Sequence, residues 1–366
     1  MGMLYKSILL TSSIRHERPV TQVQFSCDGE LLFTSGKDKN MNVWDAETGE
    51  LLGTYDHSSA IYGFDVTRDT EFLVTCAADG LRIFRVSTGE LVLFHEVRAI
   101  MRSVEWDHSP DGQNRLLTAN DNFKDIVPQA VTIWEWNQDA NELTKELEIK
   151  EGFGGKISQA VWGAFDEEIV VLDDCGSITV YDANSAEQMH FIDQAHLASV
   201  KRGHFSHDYR LFVSAGEDMR VKVWNPVTWT EIVTFQSDRI INDAALHPLY
   251  RGGAVPSDKL PSKMSTKGES AIEILKQHVI AGGGQKASEV TTTGAQEGRF
   301  EALVFHIVQG EELGRVRGHF GPINSIAWNP HGSGYVSGGE DGYVRLHKFD
   351  DPYFIDSYWN EETAQE

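Results

Sequence analysis

Four sets of side chains in this sequence combine a histidine, a hydroxyl and a carboxylate, the groups that form the nucleophilic triad of many hydrolases. The sets are His16, Thr34, Asp38 and Trp44; His57, Thr75, Asp79 and Phe84; His196, Ser214, Asp218 and Trp224; and His319, Ser337, Asp341 and His347. The histidine precedes the hydroxyl by 18 residues and the carboxylate by 22 in every set. A catalytic triad is needed once, whereas this pattern occurs four times. We therefore predict that the sets are structural and that the chain is not an enzyme.

The elements that carry these sets are short runs of Val, Ile, Leu and aromatic residues in which apolar and polar positions alternate, the pattern of half-buried β-strands. Pairs such as Asp28-Gly29 and Thr48-Gly49 separate the runs and indicate turns. Asp38 and Asp79 lie 41 residues apart, which gives the repeat length. Three weaker units share the same hydrophobic outline at 104–134, 157–181 and 240–305. The chain therefore contains seven units of antiparallel strands.

A repeat of about 40–45 residues with Gly-His near its start and Trp-Asp near its end is typical of a WD40 propeller blade. Gly318-His319 and Trp44-Asp45 carry those two signals here. We predict an all-β, seven-bladed WD40 β-propeller over residues 1–354, in which an N-terminal strand at 4–10 closes the last blade. Insertions are expected near 121–129 and 250–277, and residues 355–366 form an acidic tail.

In such a blade the four sets form a hydrogen-bonded network. The turn carboxylate accepts from the histidine, the histidine contacts the strand hydroxyl, and the hydroxyl can donate to the Trp-bearing strand. This network ties loops to strands and satisfies polar groups that burial would otherwise leave unpaired.

Charge and composition exclude several classes of function. The chain has 32 Lys and Arg against 55 Asp and Glu, a net charge of −23. A surface this negative repels phosphate, so we expect little direct binding of nucleic acid and none of a membrane. The three cysteines form no zinc-binding or disulfide pattern, and no cofactor or metal is expected.

Two segments could still suggest a ligand. The glycine-rich run at 281–288 does not have the spacing of a phosphate-binding loop and is better explained as a turn at the end of a strand. The basic segment at 251–276 is the one plausible contact for RNA or a ribosome, although a solvated loop is the favoured interpretation.

The C-terminal third contains more specific motifs. Residues 281–293 read AGGGQKASEVTTT, 298–302 read GRFEA, 311–324 read EELGRVRGHFGPIN, and 337–347 read SGGEDGYVRLH. These segments, with 29–34, 42–44, 49–55 and 160–163, closely resemble the WD-repeat i subunit of eukaryotic translation initiation factor three, a family also described as TGF-beta-receptor-interacting proteins. The two insertions and the longer tail depart from the family pattern.

The resemblance implies a non-catalytic, cytoplasmic scaffold in the initiation-factor complex. Such a scaffold docks the C-terminal helix of subunit b, binds subunit g and sits on the small ribosomal subunit to support initiation and scanning of messenger RNA. By resemblance the helix lies across the fifth and sixth blades, where Asp218, Asp238 and Arg239 match family positions. Asp218 also belongs to one of the structural sets. A signalling adaptor that binds a kinase receptor or a basic peptide is the alternative.

Overall fold

The protein is a seven-bladed β-propeller of the predicted all-β class. The computed structural model describes residues 7–11, 14–109, 113–122, 127–248, 278–284 and 300–349. Within these ranges 28 strands form seven four-stranded antiparallel sheets. One turn of 3-10 helix at Ala164–Asp166 is the only helical element in the same ranges.

Each blade contains four consecutive strands, except the last, which takes its outer strand from the N-terminal segment. Blades 1 to 3 contain β2 (Val20–Phe25), β3 (Leu31–Gly36), β4 (Asn40–Asp45) and β5 (Leu51–Asp56); β6 (Ile61–Val66), β7 (Phe72–Ala77), β8 (Gly80–Arg85) and β9 (Leu91–Glu96); and β10 (Met101–Trp106), β11 (Arg115–Asn120), β12 (Ala130–Asn137) and β13 (Glu142–Ile149). Blades 4 and 5 contain β14 (Ile157–Trp162), β15 (Glu168–Asp173), β16 (Ile178–Asp182) and β17 (Gln188–Ile192); and β18 (Val200–Phe205), β19 (Phe212–Gly216), β20 (Arg220–Asn225) and β21 (Thr230–Gln236). Blade 6 contains β22 (Ile241–Leu246), β23 (His278–Gly283), β24 (Glu301–His306) and β25 (Glu311–Arg317), and blade 7 contains β26 (Ile323–Trp328), β27 (Gly334–Gly339), β28 (Val344–Phe349) and β1 (Ser7–Thr11).

Burial follows the position of a strand within its blade. The second strand of blade 2, Phe72–Ala77, is buried at every residue because neighbouring blades cover both of its faces. The outer strand of blade 4, Gln188–Ile192, has four exposed residues of five. The inner strands alternate between buried and partly buried positions, as in Ile61–Val66. A continuous apolar run in the middle of each repeat therefore marks a strand packed on both faces.

Seven apolar clusters fill the seven gaps between adjacent blades, so the core is a ring of interfaces. Contact between β2 and β26 joins the first blade to the last. Strand β1 pairs antiparallel with β28, from Ser7 opposite Phe349 to Thr11 opposite Leu346. Residues 4–6 of the predicted N-terminal strand lie outside the described residues, as do 123–126, the insertion at 250–277 and the tail at 355–366.

Hydrogen bonds around the propeller axis link each inner strand to the next blade. Asp65 accepts from the backbone N–H of Trp106 at 2.8 Å, which joins blade 2 to blade 3. Asp243 accepts from the backbone N–H of Ile326 at 3.0 Å, which joins blade 6 to blade 7. These bonds use donors at the blade edges and fix the relative positions of the loops that carry the candidate sites.

Candidate functional site

The strands run alternately up and down, so the turn between the second and third strands lies at the same end as the link to the next blade. We call this the upper end; it carries the turns 37–39, 78–79, 217–219 and 340–343. The histidine and the carboxylate of each of the four sets lie there.

The set in blade 1 forms a directed chain of hydrogen bonds. His16 Nδ1 lies 2.9 Å from Asp38 Oδ2, and His16 Nε2 lies 2.8 Å from Thr34 Oγ1. Trp44 Nε1 donates to Thr34 Oγ1 at 2.8 Å. A carboxylate oxygen only accepts, so His16 donates to Asp38 from Nδ1; an indole N–H only donates, so it is the donor to Thr34 Oγ1. The hydroxyl oxygen therefore accepts from the indole, whereas the sequence analysis expected the hydroxyl to donate toward the Trp-bearing strand.

Blade 5 repeats this chain. His196 Nδ1 lies 2.9 Å from Asp218 and Nε2 lies 2.7 Å from Ser214, whose oxygen accepts from Trp224 Nε1 at 2.9 Å. Burial by itself raises the pKa of Asp218, but the hydrogen bond and charge of His196, together with hydrogen bonds from the backbone N–H groups of Leu197 and Arg220, outweigh it and leave the pKa below the ordinary value. Asp218 is therefore an ionised member of the blade's own network.

Blade 7 has the same hydrogen bonds between histidine, carboxylate and hydroxyl but lacks the tryptophan. His319 Nδ1 lies 3.1 Å from Asp341, and Nε2 lies 2.9 Å from Ser337. His347 takes the place of the tryptophan and stacks on Tyr335, with ring centroids 4.7 Å apart. Burial lowers the pKa of His347 to about 4, so its ring is neutral at physiological pH.

Blade 2 departs from the pattern, and the expected bond between His57 and Asp79 is wrong. His57 Nε2 lies 2.7 Å from Thr75 Oγ1, but His57 Nδ1 donates to the carbonyl of Tyr55 at 3.0 Å. Asp79 instead accepts from Arg82, whose Nη1 and Nη2 lie 3.1 and 2.7 Å from its two oxygens. Phe84, at the tryptophan position, packs against the His57 ring with centroids 5.4 Å apart.

The length of one turn explains the exchange of partners. In blade 7 the residue opposite the hydroxyl on the third strand is Arg345, four positions after Asp341, but in blade 2 it is Arg82, three positions after Asp79. The turn of blade 2 is closed by Gly80 at φ 140°, where an added Cβ would lie 2.2 Å from the carbonyl oxygen of His95. The shorter turn places the Arg82 guanidinium against Asp79, and a charged donor competes well for a carboxylate.

Burial excludes the four hydroxyls as nucleophiles. Thr34 and Ser214 are 0% exposed, and Thr75 and Ser337 are 1% exposed. Each hydroxyl is already bonded to its histidine inside the sheet. A substrate could not reach these oxygens without opening the blade, and this burial favours the predicted structural role of the sets.

Asp238 and Arg239 lie in the link from blade 5 to blade 6, beside the turn that carries Asp218. Ser237 N donates to the carbonyl of Met219 at 2.8 Å, which brings link and turn together. Asp238 accepts from Arg239 Nε at 2.9 Å and from Arg315 Nη1 at 3.0 Å. The structure thus places Asp218 and Asp238 on adjoining loops at the upper end.

Arg239 is the least accessible of the three predicted partner-binding residues. Its side chain is 3% exposed, and Nη1 lies 3.0 Å from Glu301 Oε2 in blade 6. The side chains of Asp238 and Arg315 are 31% and 34% exposed. Arg239 is therefore buried under the link between blades 5 and 6 and connects it to Glu301 of blade 6. Asp238 and Arg315 present their charges at the surface.

The pKa values in this cluster support fixed charges. Partial burial by itself raises the pKa of Asp238, but hydrogen bonds from Arg315 and Arg239 outweigh it and hold the pKa well below its usual range. The carboxyl group is therefore ionised at physiological pH. The hydrogen bond from Arg317 and that from Arg239 likewise outweigh burial at Glu301 and lower its pKa. Glu301, Arg315 and Arg317 were not among the residues predicted for this site. Their alternation with apolar residues indicated strands, but it did not show that these side chains would contact the link between blades 5 and 6.

Two exposed apolar side chains lie at the upper end of blade 5. Leu197 is 68% exposed, and its backbone N–H donates to Asp218 at 3.1 Å. Met219 follows Asp218 directly and is 41% exposed. Together with Asp238 they form a surface with an apolar part and a charged part, in which Asp238 is paired with Arg315, and this suits an amphipathic segment of a partner.

The described ranges contain no group of three or more His, Cys, Asp or Glu side chains placed to hold a metal ion. No helix in these ranges is long and apolar enough to span a membrane.

Comparison with known proteins gives one consistent result. The family model "WD domain, G-beta repeat" matches residues 8–45, 188–225 and 310–348. Eukaryotic translation initiation factor 3 subunit I of Xenopus tropicalis is 36% identical over 346 residues, covering 93% of this chain and 96% of the relative. The Homo sapiens protein of the same name is 35% identical over 356 residues, covering 95% and 98%. That of Aspergillus oryzae is 35% identical over 347 residues, covering 93% and 94%.

Proposed function

The chain belongs to the eukaryotic translation initiation factor 3 subunit I family, and on this premise we propose that it is a non-catalytic scaffold subunit of that initiation-factor complex. The observation that carries the proposal is the similarity over nearly the full length of both this chain and its relatives. The propeller is suited to such a role because each blade presents its own loops to a partner on one rigid ring.

We propose that the C-terminal helix of subunit b lies across the upper end of blades 5 and 6. The apolar face of a helix would cover Leu197 and Met219, and a basic side chain would reach Asp238. Ion pairs at the rim of an interface contribute mainly to specificity, and buried apolar anchors contribute most of the affinity. Asp218 and Arg239 support this site by holding the two loops in place.

Subunit g and the small ribosomal subunit are further partners in this proposal, and the cytoplasm is the expected location. The net charge of −23 favours contact with the ribosome through the rest of the complex over direct binding of RNA. Binding of the helix should depend weakly on salt, whereas binding of RNA would weaken steeply as salt is raised.

The test is the substitution Asp238→Lys, titrated with a synthetic peptide of the C-terminal segment of subunit b from the same organism. The lysine would repel a basic side chain, so we expect at least about tenfold weaker binding, about 1.4 kcal/mol. Glu47→Lys, an equal charge change at an exposed turn of blade 1, is the matched control and should bind normally. Undiminished binding by a folded Asp238→Lys protein would remove Asp238 from the site.

A further inference from the structure

Three blades carry a buried cation at the same place, the position on the third strand opposite the network hydroxyl. They are Arg82, Lys222 and Arg345, which lie in register with Thr75, Ser214 and Ser337. Their exposures are 8%, 8% and 7%. Because burial of a charge is costly without a partner, each should have an anion beside it.

Two of the three cations have a carboxylate within the chain. Arg82 Nη2 lies 2.7 Å from Asp79, and Lys222 Nζ lies 2.7 Å from Glu231. Arg345 differs, since no described residue forms a hydrogen bond or an ion pair with its side chain, and its buried Nε has no acceptor.

The two carboxylates in the turn before Arg345 are committed to other groups. Asp341 accepts from His319 at 3.1 Å and from the backbone N–H of Phe320 at 2.8 Å. Glu340 accepts from Asn324 at 2.9 Å and pairs with Lys37 at 3.7 Å. The longer turn of blade 7 therefore gives Asp341 to its histidine, and no other carboxylate of the described residues pairs with the arginine.

Aromatic rings surround the Arg345 guanidinium. Its carbon Cζ lies 5.6 Å from the ring centroid of Phe320 and 5.4 Å from that of Tyr343. Arg82 has such a ring as well, Phe94 at 4.4 Å, in addition to its carboxylate. Rings stabilise a cation but accept no strong hydrogen bonds, so they do not replace the missing anion. Phe320 is itself 72% exposed, so its ring lies between the Arg345 guanidinium and the solvent.

We propose that Arg345 and Phe320 form a binding site for a protein segment that presents a carboxylate beside an apolar side chain. The planar guanidinium suits a bidentate carboxylate, and Phe320 gives the apolar neighbour a surface to cover. A peptide carboxylate fits better than a phosphate, because Asp341, Glu340 and a net charge of −23 oppose a doubly charged ligand. The site is separate from Asp238, which suits a basic side chain.

The test uses two hexapeptides that differ in one residue, acetyl-Gly-Ser-Asp-Phe-Ser-Gly amide and its Asn analogue. Each is titrated to millimolar concentration into the full chain. The backbone amide resonance of Tyr343, beside Arg345, reports binding in every variant, and in the wild-type chain the proton–nitrogen resonance of Arg345 Nε is followed as well. We expect the aspartyl peptide to shift this resonance and to bind at least about tenfold more tightly than the asparaginyl peptide. A tenfold difference in affinity corresponds to the contribution of one hydrogen bond between charged groups. Arg345→Met should bring that ratio to about one, and Phe320→Ser should weaken both peptides.

Arg317→Met is the matched control, since it makes the same substitution three residues before Phe320, at an arginine whose side chain is 88% exposed. It should keep the preference for the aspartyl peptide and stay folded. Equal binding of the two peptides by the wild-type chain, or a preference that survives Arg345→Met, would overturn the proposal. So would a larger shift of the Arg345 resonance with inorganic phosphate or a short RNA than with the aspartyl peptide.

Discussion

Blades 2 and 7 contain the same kinds of residue at the same places and use them differently. In blade 2 the turn carboxylate Asp79 pairs with Arg82, and His57 donates to a backbone carbonyl. In blade 7 the turn carboxylate Asp341 pairs with the histidine, and Arg345 is left to two aromatic rings. One residue in the turn decides between these arrangements. A repeat can thus close its own network in one blade and leave a charged group for a partner in another.

The largest expected effect comes from making blade 2 resemble blade 7. Asp79→Ala leaves the Arg82 guanidinium buried without a carboxylate, and we expect a loss of about 3–5 kcal/mol in the free energy of unfolding. Urea denaturation measures this loss. Glu71→Ala removes the exposed partner of Arg85 and should cost less than about 1 kcal/mol. A loss at Asp79 no larger than that at Glu71 would contradict the comparison.

The dependence of stability on pH tests whether the buried histidines of blades 2 and 7, His57 and His347, are neutral in the folded chain. Burial lowers the pKa of His57 to about 4, against about 6.5 when unfolded. Between these values the unfolded chain binds more protons, so the stability present above pH 6.5 is lost as pH falls toward 4, by up to about 3 kcal/mol. His57→Gln should flatten the dependence of unfolding free energy on pH. His347→Gln should do the same in blade 7, and an unchanged slope in either variant would contradict the assignment of that histidine.

Asp38→Ala tests the intact network of blade 1. The substitution removes the acceptor of His16 and of the backbone N–H of Glu17, so we expect a loss of about 1–3 kcal/mol. A thermal melt should show a lower Tm, while the subunit b peptide should bind as before because Asp38 lies in blade 1. An unchanged Tm would count against a structural role for this set.

The smallest effect is expected at Arg345. Because no described residue pairs with its charge, Arg345→Met exchanges a buried cation for a buried apolar side chain and should change the unfolding free energy by less than about 1 kcal/mol, or raise it. The same urea denaturation gives the value. A loss as large as that of Asp79→Ala would mean that the two arginines are equivalent.

The repeated spacing in the sequence predicted the architecture because it reflects contacts inside one blade. The 18-residue and 22-residue offsets placed His16, His196 and His319 beside their hydroxyls and carboxylates. They marked four of the units, and the shared hydrophobic outline indicated the other three. They failed at His57 because a spacing does not show which donors compete for Asp79. The shorter distance from Asp79 to Arg82 is the signal that could have revealed the exchange.

The candidate partner site was less predictable because it depends on contacts between blades. Family positions indicated Asp238 and Arg239, but nothing in the local sequence showed that Glu301 would reach Arg239 from blade 6 and bury it. The same holds for Arg345, whose lack of a carboxylate follows from the commitments of Asp341 and Glu340. The packing of neighbouring blades determines whether a charged side chain is exposed, buried in an ion pair or buried without one.

The most direct test of the scaffold proposal is affinity purification of the tagged chain from its own cells at moderate salt, with quantitative mass spectrometry. The wild-type chain should recover initiation-factor subunits b and g together with proteins of the small ribosomal subunit. Asp238→Lys should recover much less subunit b while the propeller stays folded. Recovery of receptors, kinases or chromatin proteins without subunits b and g would contradict the proposed function, although the fold would stand.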